Sequence, residues 1–202
     1  MHKLLKQSWN LPAIKTTLYT LPRNPRLFFP KKVLKDISEA DWGQLKFEMN
    51  IKYVILDKDN TLTAPYVDHL HPKVEKSIAE CKNIFGSEHI AIVSNSAGTP
   101  DDIELKWMSK IEEATGIPVI VHDKKKPLIP FREIELHFGE LLEPSRVLMV
   151  GDRLLTDTVF GNLCGMQTLH CLVPLTSKGD NPIARIVRTI ENKILGHWLK
   201  RH

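Results

Sequence analysis

The chain is poor in the features that would place it outside the ordinary globular proteins. It has three cysteines in 202 residues, Cys81, Cys164 and Cys171, and no C-x-x-C pair among them. Their neighbours are apolar, so they read as reduced core residues of a protein in a reducing compartment. No run of about 18 apolar residues occurs, which argues against a membrane-spanning helix. There is no internal repeat and no low-complexity block. Aromatic and basic residues are not interleaved in the way that base stacking on single-stranded nucleic acid requires, and no nucleic-acid partner is expected. Most pointedly, residues 1–35 contain no Asp or Glu at all, against eight Lys/Arg.

That missing acid exposes a charge asymmetry. The formal net charge is only +4. Residues 1–35 contribute +8 and residues 178–202 a further +4, so the stretch between them carries −8. Cationic ends on an acidic body suit a polyanion, an anionic membrane surface or nucleic acid, or serve simply as solubilising charge. The first 35 residues also hold Pro12, Pro22, Pro25 and Pro30, and an amphipathic start, Leu4-Leu5-Lys6-Gln7-Ser8-Trp9. An acid-free, basic, amphipathic opening without the apolar core of a secretory signal is expected of a mitochondrial targeting segment or a membrane-associating one. Residues 1–35 are therefore set apart from a single domain spanning 36–202. With 42% hydrophobic and 26% charged residues, that domain has the composition of a soluble globular core.

From about Asp36 a short helix is expected, with Ser38 as a candidate cap. A strand–helix alternation follows. Strands are expected at 51–57, 89–95, 117–122, 146–151 and 166–173. Helices are expected at 72–85, 100–115, 130–142 and 156–163, several closed by a glycine (Gly86, Gly116, Gly165). This order predicts an α/β fold with a Rossmann-like parallel sheet of about five strands flanked by helices. A last helix begins near Pro182. Ile183, Ile186, Val187, Ile190, Ile194, Leu195, Trp198 and Leu199 recur at three- and four-residue spacing, which predicts an apolar stripe packed on the sheet. Arg185, Arg188, Lys193, Lys200 and Arg201 decorate the rest, and the far end is placed to touch lipid or another subunit.

The chemistry is concentrated at strand ends. Asp57-Lys58-Asp59-Asn60-Thr61 follows the apolar run Tyr53-Val54-Ile55-Leu56. Ligands of open α/β sheets bind at the carboxyl ends of strands, and residues two apart on an extended chain share a side. One carboxylate can then attack phosphorus while the other moves a proton. Taken alone, the spacing is as readily an acidic turn. Three more strand ends carry suitable groups: Ser94 and Asn95 after Ile92-Val93, Lys126 in Lys124-Lys125-Lys126-Pro127, and Asp152 and Asp157 in Gly151-Asp152-Arg153-Leu154-Leu155-Thr156-Asp157. A hydroxyl, a lysine point charge and a pair of acids are what holding a phosphoryl group and a cation demands.

The four stretches, in this order, resemble the motifs of the haloacid dehalogenase-like (HAD) phosphatases. Val54 to Thr61, Ile92 to Gly98, Thr115 to Val119, Lys125-Lys126-Pro127 and Gly151 to Asp157 are similar to the mitochondrial phosphatidylglycerophosphate phosphatases of fungi and plants. Asn24-Pro25-Arg26-Leu27 and Pro30 extend the resemblance, which covers roughly residues 20–175. It implies dephosphorylation of phosphatidylglycerophosphate (PGP) to phosphatidylglycerol for cardiolipin synthesis, at the matrix side of the mitochondrial inner membrane. The implied roles are Asp57 as nucleophile and Asp59 as general acid and base. Ser94, Asn95 and Lys126 would bind phosphate. Mg²⁺ would be held by Asp57, Asp152 and the Asp59 backbone carbonyl, with Asp157 behind them. Lys58, which replaces an apolar residue common in the superfamily, and Arg153 are candidates for the substrate head group, or else a solvated lysine and a local salt bridge. His69 and His71 form an H-x-H pair able to bind metal, with no further ligand in sequence. Only 32 residues separate Asp59 from Ala91, and 31 separate Asn95 from Lys126. Neither gap holds a lid domain, so an open site, a membrane-embedded or macromolecular substrate, peripheral membrane association and a homo-oligomer are expected. The alternatives are a phosphatase of soluble phosphomonoesters or nucleic-acid ends, and a non-catalytic binding module.

Overall fold

A computed structural model describes Tyr19 and residues 23–180 and 182–200. Five strands form one sheet: β1 (Lys32–Leu34), β2 (Tyr53–Leu56), β3 (Ile90–Ile92), β4 (Val147–Gly151) and β5 (Gln167–Cys171). Their order is β1-β5-β4-β2-β3, and every pairing is parallel. The helices are α1 (Trp42–Glu48), α2 (Glu75–Phe85), α3 (Lys106–Thr115), α4 (Phe131–Phe138), α5 (Val159–Leu163) and α6 (Pro182–Leu199).

The sheet is parallel because helical crossovers return the chain to the same edge, and the crossovers cover both faces. Alternate residues of each strand therefore enter different cores. Val54, Leu56, Ile90, Ile92, Leu148 and Val150 pack with Trp42, Ile78 and Cys81 on one side. Tyr53, Ile55, Ala91, Val147 and Met149 pack with Ile134, Phe160 and Met166 on the other. This explains why the strands read as continuous apolar runs rather than alternating ones. Cys81 and Cys171 are buried, Cys164 is half-buried, and all three are free thiols. Burial pushes the Cys81 thiol up to about 12 and that of Cys164 up to about 11.

Three expectations need correction. The third apolar run does not form a strand. It touches the sheet through a single bridge, Ile92 to Val119, with Ile120 N–H donating to Ile92 O at 2.8 Å. Pro118 supplies no N–H, so a continuous ladder is interrupted there. The fifth strand comes instead from the basic N-terminal segment. Lys32–Leu34 pairs with Leu169 to Cys171, and Phe28 is buried, so the core begins well before residue 36. A three-residue strand, Lys32-Val33-Leu34, gives too short a pattern to be seen in sequence. Finally, the cap near residue 36 is Asp36, whose carboxylate accepts from Ser38 N–H at 3.1 Å.

α6 corrects a fourth expectation. It turns Arg188, Glu191 and Leu195 inward, while Ile186, Ile190, Ile194 and Leu199 are exposed. The physical reason lies in the acidic loop beneath it: buried carboxylates need counter-charges more than the sheet needs another apolar cover. Trp198 alone at the far end finds an aromatic partner in Phe29, stacked at 4.3 Å between ring centroids.

Candidate active site

β2 lies between β3 and β4, and the chain visits β3 before crossing back to β4. This is the topological switch point, where a crevice opens at the carboxyl ends of the strands. Asp57 follows β2 directly, and its N–H donates to Val150 O of β4 at 2.8 Å. Asp152 follows β4. Leu56 is level with Val150, so the two carboxylates leave neighbouring strands within one residue of each other.

After Asp57 the chain reverses at once. Asn60 takes a left-handed φ of 63°, and Lys58 O accepts from Leu62 N–H at 2.9 Å and Thr63 N–H at 3.0 Å. Asn tolerates that conformation better than most residues. The turn sends Asp57 and Asp59 to different surroundings. Asp57 is nearly buried, whereas the Asp59 side chain is 39% exposed at the mouth. Asp59 Oδ1 accepts from Lys58 Nζ at 2.6 Å and from Tyr66 N–H at 3.2 Å.

Lys58 is not a surface lysine, and it does not reach outward for a head group. Its side chain is buried, and Nζ donates to Asp59 Oδ1, to Thr63 Oγ1 at 3.1 Å and to Val67 O at 2.8 Å. Its three donors are all used within the protein. The Trp107 ring lies 5.8 Å away as a further lining.

Lys126 reaches the site from the loop after the third apolar run. Its Nζ pairs with Asp57 Oδ1, with Asp157 Oδ1 at 2.7 Å, and donates to Val93 O at 3.0 Å. Burial works against the ammonium, but Asp157 and Asp57 outweigh it and hold it above the usual lysine range. The loop is fixed from behind by Asn95, whose Oδ1 accepts from Lys126 N–H at 2.7 Å. Asn95 is thus committed through its carbonyl to the lysine. Ser94 is buried beside it. Its Oγ accepts from Ser96 N–H at 3.2 Å and lies 3.0 Å from Ser96 Oγ.

His122 was not singled out by sequence. Its ring bridges the two loops, Nε2 lying 2.9 Å from Ser94 O and Nδ1 2.7 Å from Lys124 O. Burial lowers its pKa, and the two carbonyl contacts oppose that. Its only sequence signal is its place, at the end of an apolar run and just ahead of the lysines.

Asp152 and Asp157 complete the centre. Gly151 permits it: a Cβ there would strike the Asp157 carboxyl. Asp157 Oδ2 accepts from Arg153 N–H at 3.1 Å, so the π-helical turn Leu154–Thr158 aims this side chain back at Lys126. Carboxylate oxygens of Asp57, Asp152 and Asp157 lie within 4.8 Å of one another, the one such group among the described residues. The Asp59 carboxylate is not part of it. Nor are His69, which pairs with Asp68 at 3.1 Å, and His71, whose Nδ1 accepts from Lys73 N–H. Burial, offset in part by Lys126 and worsened by Asp157 and Asp152, pushes Asp57 up to about 8. Burial likewise raises Asp152 to about 7, against the pull of Arg188. Three buried carboxylates in contact are under-compensated, and an all-oxygen donor set of this kind fits a hard divalent cation.

The remaining counter-charges come from α6. Arg188 Nη2 lies 2.7 Å from Asp152 Oδ2 and its Nη1 2.6 Å from Asp180 Oδ2. Glu191 Oε2 accepts from Arg153 Nε at 3.1 Å, and Oε1 accepts from Leu155 N–H at 3.1 Å. Arg153 is thus engaged through Nε by α6, which fits the salt-bridge alternative.

A parallel sheet with a switch-point aspartate, a buried lysine and an acidic glycine–aspartate loop defines a HAD-like phosphatase. The family profile described as mitochondrial PGP phosphatase matches residues 11–175. The chain belongs to that family. It is 38% identical over 199 residues to the chloroplastic/mitochondrial phosphatidylglycerophosphate phosphatase 1 of Arabidopsis thaliana, covering 98% of this chain and 56% of that protein. The chloroplastic phosphatidylglycerophosphate phosphatase 1 of Chlamydomonas reinhardtii is 36% identical, over 96% of this chain and 71% of its own length. The mitochondrial phosphatidylglycerophosphatase of Saccharomyces cerevisiae is 32% identical, over 70% of this chain and 76% of its own length.

Proposed function

We propose that the protein removes the terminal phosphate of phosphatidylglycerophosphate, yielding phosphatidylglycerol, through an aspartyl-phosphate intermediate on Asp57. The observation that carries this reading is the meeting of Asp57, Lys126, Asp152 and Asp157, from three separate chain segments, at the carboxyl edge of the sheet. The relatives named for this substrate supply its identity.

Asp57 Oδ attacks phosphorus, and the bond from phosphorus to the glycerol oxygen breaks. Asp59, at the exposed mouth, gives its proton to that oxygen. A water then attacks the phosphoryl group, Asp59 takes the water's proton, and phosphate leaves with the carboxylate of Asp57 restored. Lys126 Nζ and Ser94 Oγ hold phosphoryl oxygens as charge moves onto them. Lys58 holds Asp59 at the mouth. Asp57, Asp152 and the Asp59 backbone carbonyl, with Asp157 beside them, would hold Mg²⁺, which when bound neutralises the negative charge of the phosphoryl oxygens. The mitochondrial inner membrane, on its matrix side, is the proposed place of work, with the protein bound peripherally. Among the described residues no helix is long and apolar enough to cross a membrane.

The test compares turnover of phosphatidylglycerophosphate in mixed micelles with turnover of soluble phosphomonoesters and phosphorylated oligonucleotides, at varied Mg²⁺. A preference for the lipid is expected in kcat/KM. Equal or greater activity on the soluble compounds would overturn the assignment.

A further inference from the structure

α6 is mounted with its charged side inward and its apolar side outward. Arg188, Glu191 and Leu195 are buried, at spacings of three and four residues. Ile186, Ile190 and Ile194 follow one another at four-residue spacing on the other side, and are 61%, 53% and 52% exposed. Four residues make slightly more than one turn, so the three isoleucines form one continuous ridge along the helix. Arg185, Lys193 and Lys200 are exposed beside the ridge. The only acid of the helix, Glu191, is buried against Arg153 and Leu155 N–H. The exposed side of α6 therefore holds apolar and basic residues together with Thr189, and no acidic one.

We propose that this face of α6 is the surface by which the protein docks on an anionic bilayer. The assignment rests on the phospholipid reading above for its purpose, and on the geometry of α6 for its location. An apolar ridge flanked by cations is the arrangement that lies in a lipid interface, with the ridge among acyl chains and the cations at head-group phosphates. A second copy of the chain is the poorer occupant. Self-pairing of one patch across a two-fold axis would bring Arg185, Lys193 and Lys200 against their own like charges, with no acid to relieve them. The inward side gives the docking a consequence. Arg188 and Glu191 grip the loop that carries Asp152, so a bilayer held against α6 stands one helix diameter from the catalytic acids.

The experiment uses the full chain and vesicles free of phosphatidylglycerophosphate, so that binding is read separately from turnover. Wild type is expected to co-sediment with vesicles of phosphatidylcholine plus phosphatidylglycerol, and weakly with phosphatidylcholine alone. The variant Ile186→Ser/Ile190→Ser/Ile194→Ser is expected to lose at least about tenfold in vesicle affinity. Arg185→Glu/Lys193→Glu is expected to lose the preference for anionic vesicles. Both should hydrolyse a soluble phosphomonoester at the wild-type rate, which shows that the fold and centre are intact. Vesicle binding by the triple variant within about twofold of wild type would overturn the proposal. So would a fall in oligomer size by sedimentation velocity in that variant, which would make the ridge a contact between copies. So would vesicle binding that appears in wild type only after residues 1–22 are removed, which would make the chain's own N-terminal segment the cover. Binding without any lipid-phosphate turnover would refute the substrate reading while upholding the docking surface.

Discussion

Asp57, Asp152 and Asp157 place three carboxylates in a pocket with Lys126 and Arg188 as the nearest opposing charges. This sets a pH signature. A carboxyl whose folded pKa exceeds its unfolded one stabilises the fold while protonated. That contribution is complete below the unfolded value near 3.8 and is lost as pH rises through about 7 for Asp152 and about 8 for Asp57. Lys126, raised above its ordinary value, keeps its contribution throughout this window. In chelator the melting temperature is therefore expected to fall between about pH 5 and pH 8, and added Mg²⁺ should restore more at the upper end. Thermal melts with and without chelator check this; a flat profile would contradict it. Asp57→Asn removes the proposed nucleophile and one of the crowded charges together. Turnover should drop by more than about 10³-fold while the chelator-state melting temperature holds or rises. Lys58→Met tests whether Lys58 positions Asp59 or binds substrate. We expect kcat to fall by about tenfold or more with KM within about twofold, because the lost contacts are to Asp59, Thr63 and Val67. A rise in KM alone would return Lys58 to the head group.

At the scale of elements, α6 is part of the catalytic scaffold. Glu191 closes Arg153 and Leu155 N–H together, and Arg188 faces Asp152. Glu191→Ala strands a backbone donor and a guanidinium. It should cost about 1–3 kcal/mol of stability and raise the Mg²⁺ concentration needed for half-maximal activity. Denaturant unfolding and a metal titration measure the two effects; neither should change if α6 is only a cover. The sequence showed that a long helix stood here, because spacing of three and four persists over its length. It did not show which side faced in. The spacing of eight apolar residues pointed them at the sheet, but the buried acids of the Asp152 loop outweighed them, and those acids lie some thirty residues away in sequence. β1 was hidden for a related reason. Lys32–Leu34 has no pattern of its own and becomes a strand only because the edge of β5 is open to it.

For the whole molecule, the core begins before residue 36. Phe28 is buried and stands beside the Phe29–Trp198 stack, and Asn162 Nδ2 donates to Leu27 O at 2.9 Å. Removing residues 1–35 should therefore destabilise the protein by at least about 1.5–3 kcal/mol from the loss of Phe28 burial alone, with β1 in addition. Urea unfolding of the full chain and of the chain lacking residues 1–35 measures the loss.

The sequence by itself determined four of the five strands and the helices between them, the buried character of the sheet, and where Asp57, Asp59, Ser94, Asp152 and Asp157 stand relative to strand ends, with Lys126 after a third apolar run. Those are local matters: apolar runs, glycine stops and short motifs are written in neighbouring residues. Only the tertiary structure decided which pairs form. Asp157 joins the carboxylate group, Lys58 turns inward, Arg153 and Arg188 answer acids on other elements, and His122 ties two loops together. Each of these depends on which charges are buried near one another, and a buried charge takes its partner from whatever lies across the crevice, at any distance along the chain.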